Sequence, residues 1–183
     1  MQKNSSNTRE ERAEVVARCR ALFAAKLHDY GASWRIMRPR SVTDQIYIKA
    51  GRIRTLQEHE ARVEEGIDSE LIGIINYGII GIIQLELGAE DAPTMSTEEA
   101  LAEYDRVVAS TFALMDNKNH DYSEAWRQMR IESMVDLILM KIYRTKQLED
   151  LCQGPLVSEG IDANYYDMIN YAIFALIKLS YED

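Results

Sequence analysis

Two sets of charged side chains in this sequence could do chemistry, and each set occurs twice. The acidic set is Asp44, Glu65 and Asp68, which returns as Asp136, Glu159 and Asp162, with Asp167 added. Carboxylates three residues apart at the start of a helix can converge on a hard cation such as Mg2+, which takes oxygen ligands and keeps waters that a phosphate can displace. A structural role competes with this: Asp is a favoured N-cap, so Asp68 and Asp162 can simply cap the helix that follows. Asp167 lies inside an apolar run, where an unpaired charge is costly. It therefore requires a metal, Lys141 or Arg144, or a bundle end facing water. Gly73 holds its place in the first copy, so a metal site built there is unequal between the copies.

The basic set is Lys26, Arg35, Arg38, Lys49 and Arg52, returning as Lys118, Arg127, Arg130, Lys141 and Arg144. Arginine offers a planar fork that fits phosphate, and lysine a point charge. Repeated basic positions in a chain of net charge −9 suggest an anion pocket; the plainer alternative is a solvated helix face paired with Glu. Beside them stands an HDY…WR segment: His28, Asp29, Tyr30 and Trp34, then His120, Asp121, Tyr122 and Trp126. Tyr and Trp can stack on a base while Asp or His reads its polar edge. Alternatively the segment is a structural turn with both tryptophans in the core. No GxGxxG, P-loop, HExxH or GxSxG motif is present, and nothing suggests a nucleophilic triad.

The duplication that supplies these sets is explicit. KLHDYGASWRIMRPRSVTDQIYIKAGR at Lys26–Arg52 matches KNHDYSEAWRQMRIESMVDLILMKIYR at Lys118–Arg144 at a constant offset of 92. EGID at Glu65–Asp68 matches Glu159–Asp162, and INY at Ile75–Tyr77 matches Ile169–Tyr171, at an offset of 94. The second copy thus carries two extra residues in the intervening loop. So many polar identities exclude coincidence and point to a tandem repeat.

Each repeat reads as three helices. The first spans roughly Arg9 to Leu27, with Ser96 to Asn117 opposite; the second spans Ser41 to Ala61, with Ser133 to Asp150 opposite; the third starts near Asp68 and Asp162. Ser96 followed by Glu99 is a capping box. Gly88–Thr94 reads as the module boundary, dividing the chain into repeats at 1–92 and 93–183 that share one core. The HDY segment is expected in an irregular stretch, and Pro39 is expected to break the pattern. Asp44 and Lys49 diverge by about 140° on an ideal helix, whereas Lys49 and Arg52 share a face. Ile72, Ile75, Ile79 and Ile82 have helical spacing, interrupted by Gly73, Gly78 and Gly81. Each glycine costs up to about 1 kcal/mol relative to Ala, which close approach of the third helix of the other repeat would explain. The expected fold is all-α, a bundle of two tandem three-helix repeats related by a pseudo-twofold.

Composition limits the partners. The 183 residues are 46% hydrophobic, which suits a packed core. So acidic a surface disfavours duplex DNA or RNA, while small phosphorylated ligands remain compatible with a local basic cluster or a metal. Leu71–Leu87 and Tyr166–Leu179 are apolar runs shorter than the roughly 20 residues a spanning helix needs, so no membrane is expected. Cys19 and Cys152 form no CxxC pair, and Met1 to Arg12 lacks an apolar signal core. A reducing cytoplasm is the expected location. Further dimerisation is compatible with the sequence, because a buried interface resembles a core.

The order K-x-x-DY, K-x-x-R, E-x-I-D and then an NY-bearing apolar helix resembles the nucleotide modification associated domain family. Both repeats carry it: Lys26, Asp29, Tyr30, Gly31, Lys49, Arg52, Glu65, Asp68, Asn76 and Tyr77, then Lys118, Asp121, Tyr122, Lys141, Arg144, Glu159, Asp162, Asp167, Asn170 and Tyr171. More distantly the chain is similar to the all-α, MazG-like nucleoside triphosphate pyrophosphohydrolases. In that group acidic residues on two adjacent helices, EExxE and ExxD, hold Mg2+ while water attacks a phosphate. EGID supplies the ExxD half, while the preceding helix offers Asp44 or Asp136 in place of EExxE. This resemblance implies Mg2+-dependent release of pyrophosphate from a nucleoside or pterin triphosphate. Glu159 and Asp162 would be catalytic, with Asp136 and Asp167 on the metal, the basic set on the phosphates, and Tyr122 or Trp126 on the base. The other readings are a nucleotide-binding module without turnover, and a helical assembly protein whose shared charges are structural.

Overall fold

Helix starts and stops follow local chemistry in both repeats. The computed structural model describes residues 5–59, 66–122, 124–151 and 160–181, apart from the side chains of 5, 6 and 119–122. The helices are α1 (Ser5–Tyr30), α2 (Pro39–Glu58), α3 (Ile67–Leu87), α4 (Thr97–Tyr122), α5 (Ile131–Asp150) and α6 (Ile161–Tyr181). A 3-10 turn, Ser33–Ile36 or Ala125–Gln128, precedes α2 and α5. No strand occurs among the described residues. The first two helices of each repeat recur at the 92-residue offset and the third at 94, as the sequence match requires.

Three helix ends differ from expectation. Pro39 does not break a helix; it occupies the first position of α2 after an extended Arg38, where its missing N–H has no intrahelical partner to lose. The HDY segment is the last turn of α1, which ends at Gly31 with φ +65°. Neither Asp68 nor Asp162 is the N-cap. Gly66 holds that position of α3 in extended conformation, with no side-chain cap bond. Asp68 sits in the first turn, where the helix dipole favours a negative charge. Its carboxylate folds back so that a Cβ on Gly66 would meet Oδ1 at 2.9 Å, and on Gly160 the Asp162 Oδ1 at 2.7 Å. The capping box is as expected: Ser96 N–H donates to Glu99 at 2.8 Å, and Glu99 N–H to Ser96 Oγ at 3.2 Å.

α3 and α6 pack on each other at the centre; α2 flanks α3, α5 flanks α6, and α2 meets α5. α1 and α4 each cover both central helices and touch one another. Exchanging the repeats maps every one of these contacts onto itself or its twin, which is the pseudo-twofold. Gly78 and Gly81 mark the central crossing. A Cβ at Gly78 would lie 2.5 Å from Ile169, and at Gly81 2.1 Å from the Tyr165 ring. Gly73 faces elsewhere: its neighbour is Lys49 of its own repeat, at 2.6 Å. α3 is, at 21 residues, long and apolar enough to cross a membrane, but 67% of its apolar window is buried inside the bundle.

Candidate functional site

A pocket of about 640 Å³ opens in the first repeat between α1, its 3-10 turn, α2 and α3. Phe23, Leu27, Tyr30, Trp34, Tyr77 and Ile80 give it apolar and aromatic walls, and Lys26, Lys49, Glu70 and Asn76 polar ones. Lys26 comes from the last turns of α1 and Lys49 from the middle of α2. Glu70 is 3% exposed in the first turn of α3. It accepts from Arg52 Nη1 at 2.6 Å and more distantly from Lys49 Nζ at 3.3 Å. Lys49 Nζ also lies 6.0 Å from the Tyr77 ring centroid. Lys26 makes no ion pair among the described residues. With Arg52 closest to Glu70, the two lysines leave the pocket positive in an acidic protein.

The second repeat arranges the same cations differently. At the 94-residue offset Glu70 becomes Asn164 and Gly73 becomes Asp167. Asp167 is buried and accepts from both Lys118 and Lys141, the latter at 2.6 Å. Arg144, the twin of Arg52, makes no ion pair among the described residues. Burial alone would raise the Asp167 pKa. The hydrogen bonds and charges of the two lysines outweigh it and hold the carboxyl below the usual aspartate range. A depressed folded pKa contributes stability that is complete above the unfolded value of about 3.9 and is lost as pH falls through the folded value. Wild type should therefore melt above Asp167→Asn at neutral pH, and the gap should close as pH falls below about 4. Circular-dichroism melts across that range check this; a gap that widens on acidification sinks it.

Most other members of the basic and aromatic sets are committed to the fold. Arg35 is 3% exposed and donates to Gln84 and, at 3.0 Å, to Glu90 of the linker. Arg127 donates to Glu11 at 2.6 Å, Glu124 at 3.0 Å and Thr8 at 2.8 Å. Gln84 and its twin Lys178 both donate to the 3-10 turns, Gln84 to the Arg35 carbonyl at 3.0 Å and Lys178 to the Arg127 carbonyl at 2.8 Å. Trp126 stacks on Phe174 at 4.4 Å, while Trp34 is buried yet lines the pocket. His28 and Asp29 are exposed and 3.3 Å apart, and Arg38 and Arg130 sit exposed at the N-caps of α2 and α5. The side chains of His120, Asp121 and Tyr122 lie outside the described residues. Asn76 donates to the Cys19 carbonyl at 3.1 Å and accepts from Tyr104 at 2.8 Å, tying α3 to α1 and α4. Asn170 is buried, its Oδ1 without a hydrogen-bond partner among the described residues. Cys19 is a buried free thiol, pushed up to about 12 by burial; Cys152 lies outside the described residues.

The described members of the acidic set are dispersed. Asp44 accepts from Lys146 at 2.6 Å, and Asp136 lies 3.9 Å from Arg54. Under the 92-residue offset these are the same contact, made once in each direction across the α2–α5 seam. Asp68 faces Arg18 at 3.7 Å, and Asp162 is exposed. Glu65 and Glu159 lie outside the described residues. Among the described residues no three His, Cys, Asp or Glu come together as metal ligands. Sequence reasoning missed Glu70 as a site residue. Its signal was a carboxylate entering an apolar run, displaced three residues from the position of Asp167.

Fold and site together define a duplicated all-α bundle with an amphipathic, positively charged pocket in its first repeat. The model of the nucleotide modification associated domain 1 family matches twice, over residues 26–85 and 118–179, and the chain belongs to that family. No curated protein and no solved structure matches the chain.

Proposed function

We propose that this protein binds a nucleotide or nucleotide-like small molecule in the pocket of the first repeat. Phosphate would meet Lys26 and Lys49, and the ring would lie against Tyr30, Trp34 or Tyr77. The observation that carries this is the meeting of two lysines with an aromatic wall in one cavity. Its volume of about 640 Å³ is within the range of small-molecule sites. Membership in a family described by nucleotide modification supports the same ligand class.

A second reading is Mg2+-dependent pyrophosphohydrolysis, as the MazG-like resemblance implies. It is favoured by Asp162, which is exposed in the first turn of α6 and makes no ion pair among the described residues. Scanning fluorimetry and calorimetry with nucleoside mono- and triphosphates and pterin analogues, with and without Mg2+, separate the readings. Binding without turnover should raise the melting temperature in EDTA, with about 2.7 kcal/mol of stabilisation at a hundredfold excess over Kd. Mg2+-dependent pyrophosphate release that Asp162→Asn abolishes would install the hydrolase. No shift at millimolar ligand would remove both and leave a helical assembly protein.

A further inference from the structure

The second repeat contains, built into its own sequence, what the pocket of the first repeat lacks. Lys118 and Lys141 converge on Asp167, whereas their twins Lys26 and Lys49 line the pocket together with Gly73, and Lys49 lies against Gly73 at the equivalent point of α3. We propose that Asp167 stands in for the anionic group of the ligand: the first repeat takes a single phosphate-sized anion over Gly73, between Lys26 and Lys49, and the second repeat is closed to it by its own carboxylate. This rests on the binding function above and specifies its ligand as a monophosphate ester.

Glu70 does not already play that part. It lies one helical turn before Gly73, and its short bond is to Arg52, at 2.6 Å, whereas Lys49 is at 3.3 Å. Lys49 can therefore turn toward an incoming anion while Arg52 keeps Glu70 paired. Gly73 has no side chain, and the space it leaves is taken by the stem of Lys49, whose Cδ and Cε each lie 2.6 Å from where a Cβ would stand. Lys49 crosses that gap, with Nζ 2.9 Å from where a Cβ on Gly73 would stand. An aspartate at 73 would displace the lysine and bond it, which is the arrangement the second repeat shows. Charge sets the size of the ligand. A phosphate monoester carries about −1.5 to −2 at pH 7, which two ammonium groups match. A triphosphate carries more charge than the pair can balance without a metal.

The test is calorimetry and equilibrium dialysis of the full chain in EDTA, with inorganic phosphate and with nucleoside 5′-monophosphates. Wild type should bind one equivalent, and a monophosphate at least as tightly as the matching triphosphate. Gly73→Asp should weaken binding at least tenfold, and Asp167→Gly should raise the stoichiometry for inorganic phosphate to two. If Asp167→Gly fails to fold, Gly73→Asp against Gly73→Asn decides: the two are equal in size, and only the acid neutralises the lysines, so it should bind at least tenfold more weakly. Equal affinities for that pair, or a folded Asp167→Gly that still binds one equivalent, overturn the proposal. Nucleotide binding that survives Gly73→Asp would sink this inference and spare the binding function. Phosphate binding in the expected pattern without any nucleotide affinity would do the reverse.

Discussion

Leucine in place of Gly81 should separate the two central helices and cost the fold more than about 3 kcal/mol, beyond the usual range for overpacking. Even a Cβ there would lie 2.1 Å from Cε1 of Tyr165. That ring has nowhere to go. It is fully buried, and its hydroxyl is 2.7 Å from Thr43, which in turn donates to Glu149 at 2.6 Å. Against a total stability of about 5–15 kcal/mol, leucine should leave much of the chain unfolded at 37 °C. Gly51 in the middle of α2 supplies the contrast. A Cβ there meets nothing within 4 Å, so Gly51→Ala should stabilise by up to about 1 kcal/mol through helix propensity. Urea midpoints measure both, and a Gly81→Leu protein that unfolds with wild type would show that α3 and α6 do not cross where they are placed.

Removing Lys26 and Lys49 together should lower nucleotide affinity by about 100-fold or more. A hydrogen bond to a charged group contributes about 1.5–3 kcal/mol, so each lysine accounts for at least about tenfold. The fold should tolerate the change, because Lys26 has no ion-pair partner to strand among the described residues and Glu70 retains Arg52. The mirror variant, Lys118→Ala with Lys141→Ala, should behave oppositely. It leaves a buried Asp167 carboxylate without its two lysines, a loss of about 3–5 kcal/mol for a broken buried pair, while affinity per folded molecule stays unchanged. Calorimetry and thermal melts on the two double variants separate these effects. Binding within threefold of wild type after loss of Lys26 and Lys49 would rule out the pocket as the nucleotide site.

What could be read from the sequence was mostly local or internal. The offsets of 92 and 94 are the offsets of the helices, and the Ser96–Glu99 capping box is in place, because both depend on neighbours in the chain. Gly78 and Gly81 announced a close crossing because a glycine inside a helix needs a compensating contact. Pro39 and the HDY segment were misplaced by a few residues, since the same residues serve at a helix end and beyond it. The site was harder. Spacing within one repeat could not show that Asp44 meets Lys146 of the other, that Glu90 of the linker holds Arg35, or that Glu11 of the opposite repeat holds Arg127. Lys141 was among the candidate partners for Asp167, but Lys118 arrives from a different helix and no helical spacing relates the two. Glu70 went unnoticed because it has no acidic twin, although the substitution of Asn164 for it, beside Asp167 for Gly73, is visible once the repeats are superposed.

The covalent joining of the repeats has a consequence for how the two halves can change. In an assembly of two identical single-repeat chains, every substitution is inherited by both halves, and an acid at the Gly73 position would enter both sites at once. Here each position is encoded separately. Glycine at 73 and aspartate at 167 can coexist, as can Glu70 and Asn164. Under the proposed binding function one half answers to a ligand while the other keeps its lysines paired within the fold, and the pseudo-twofold of the backbone persists although the two sites differ in chemistry.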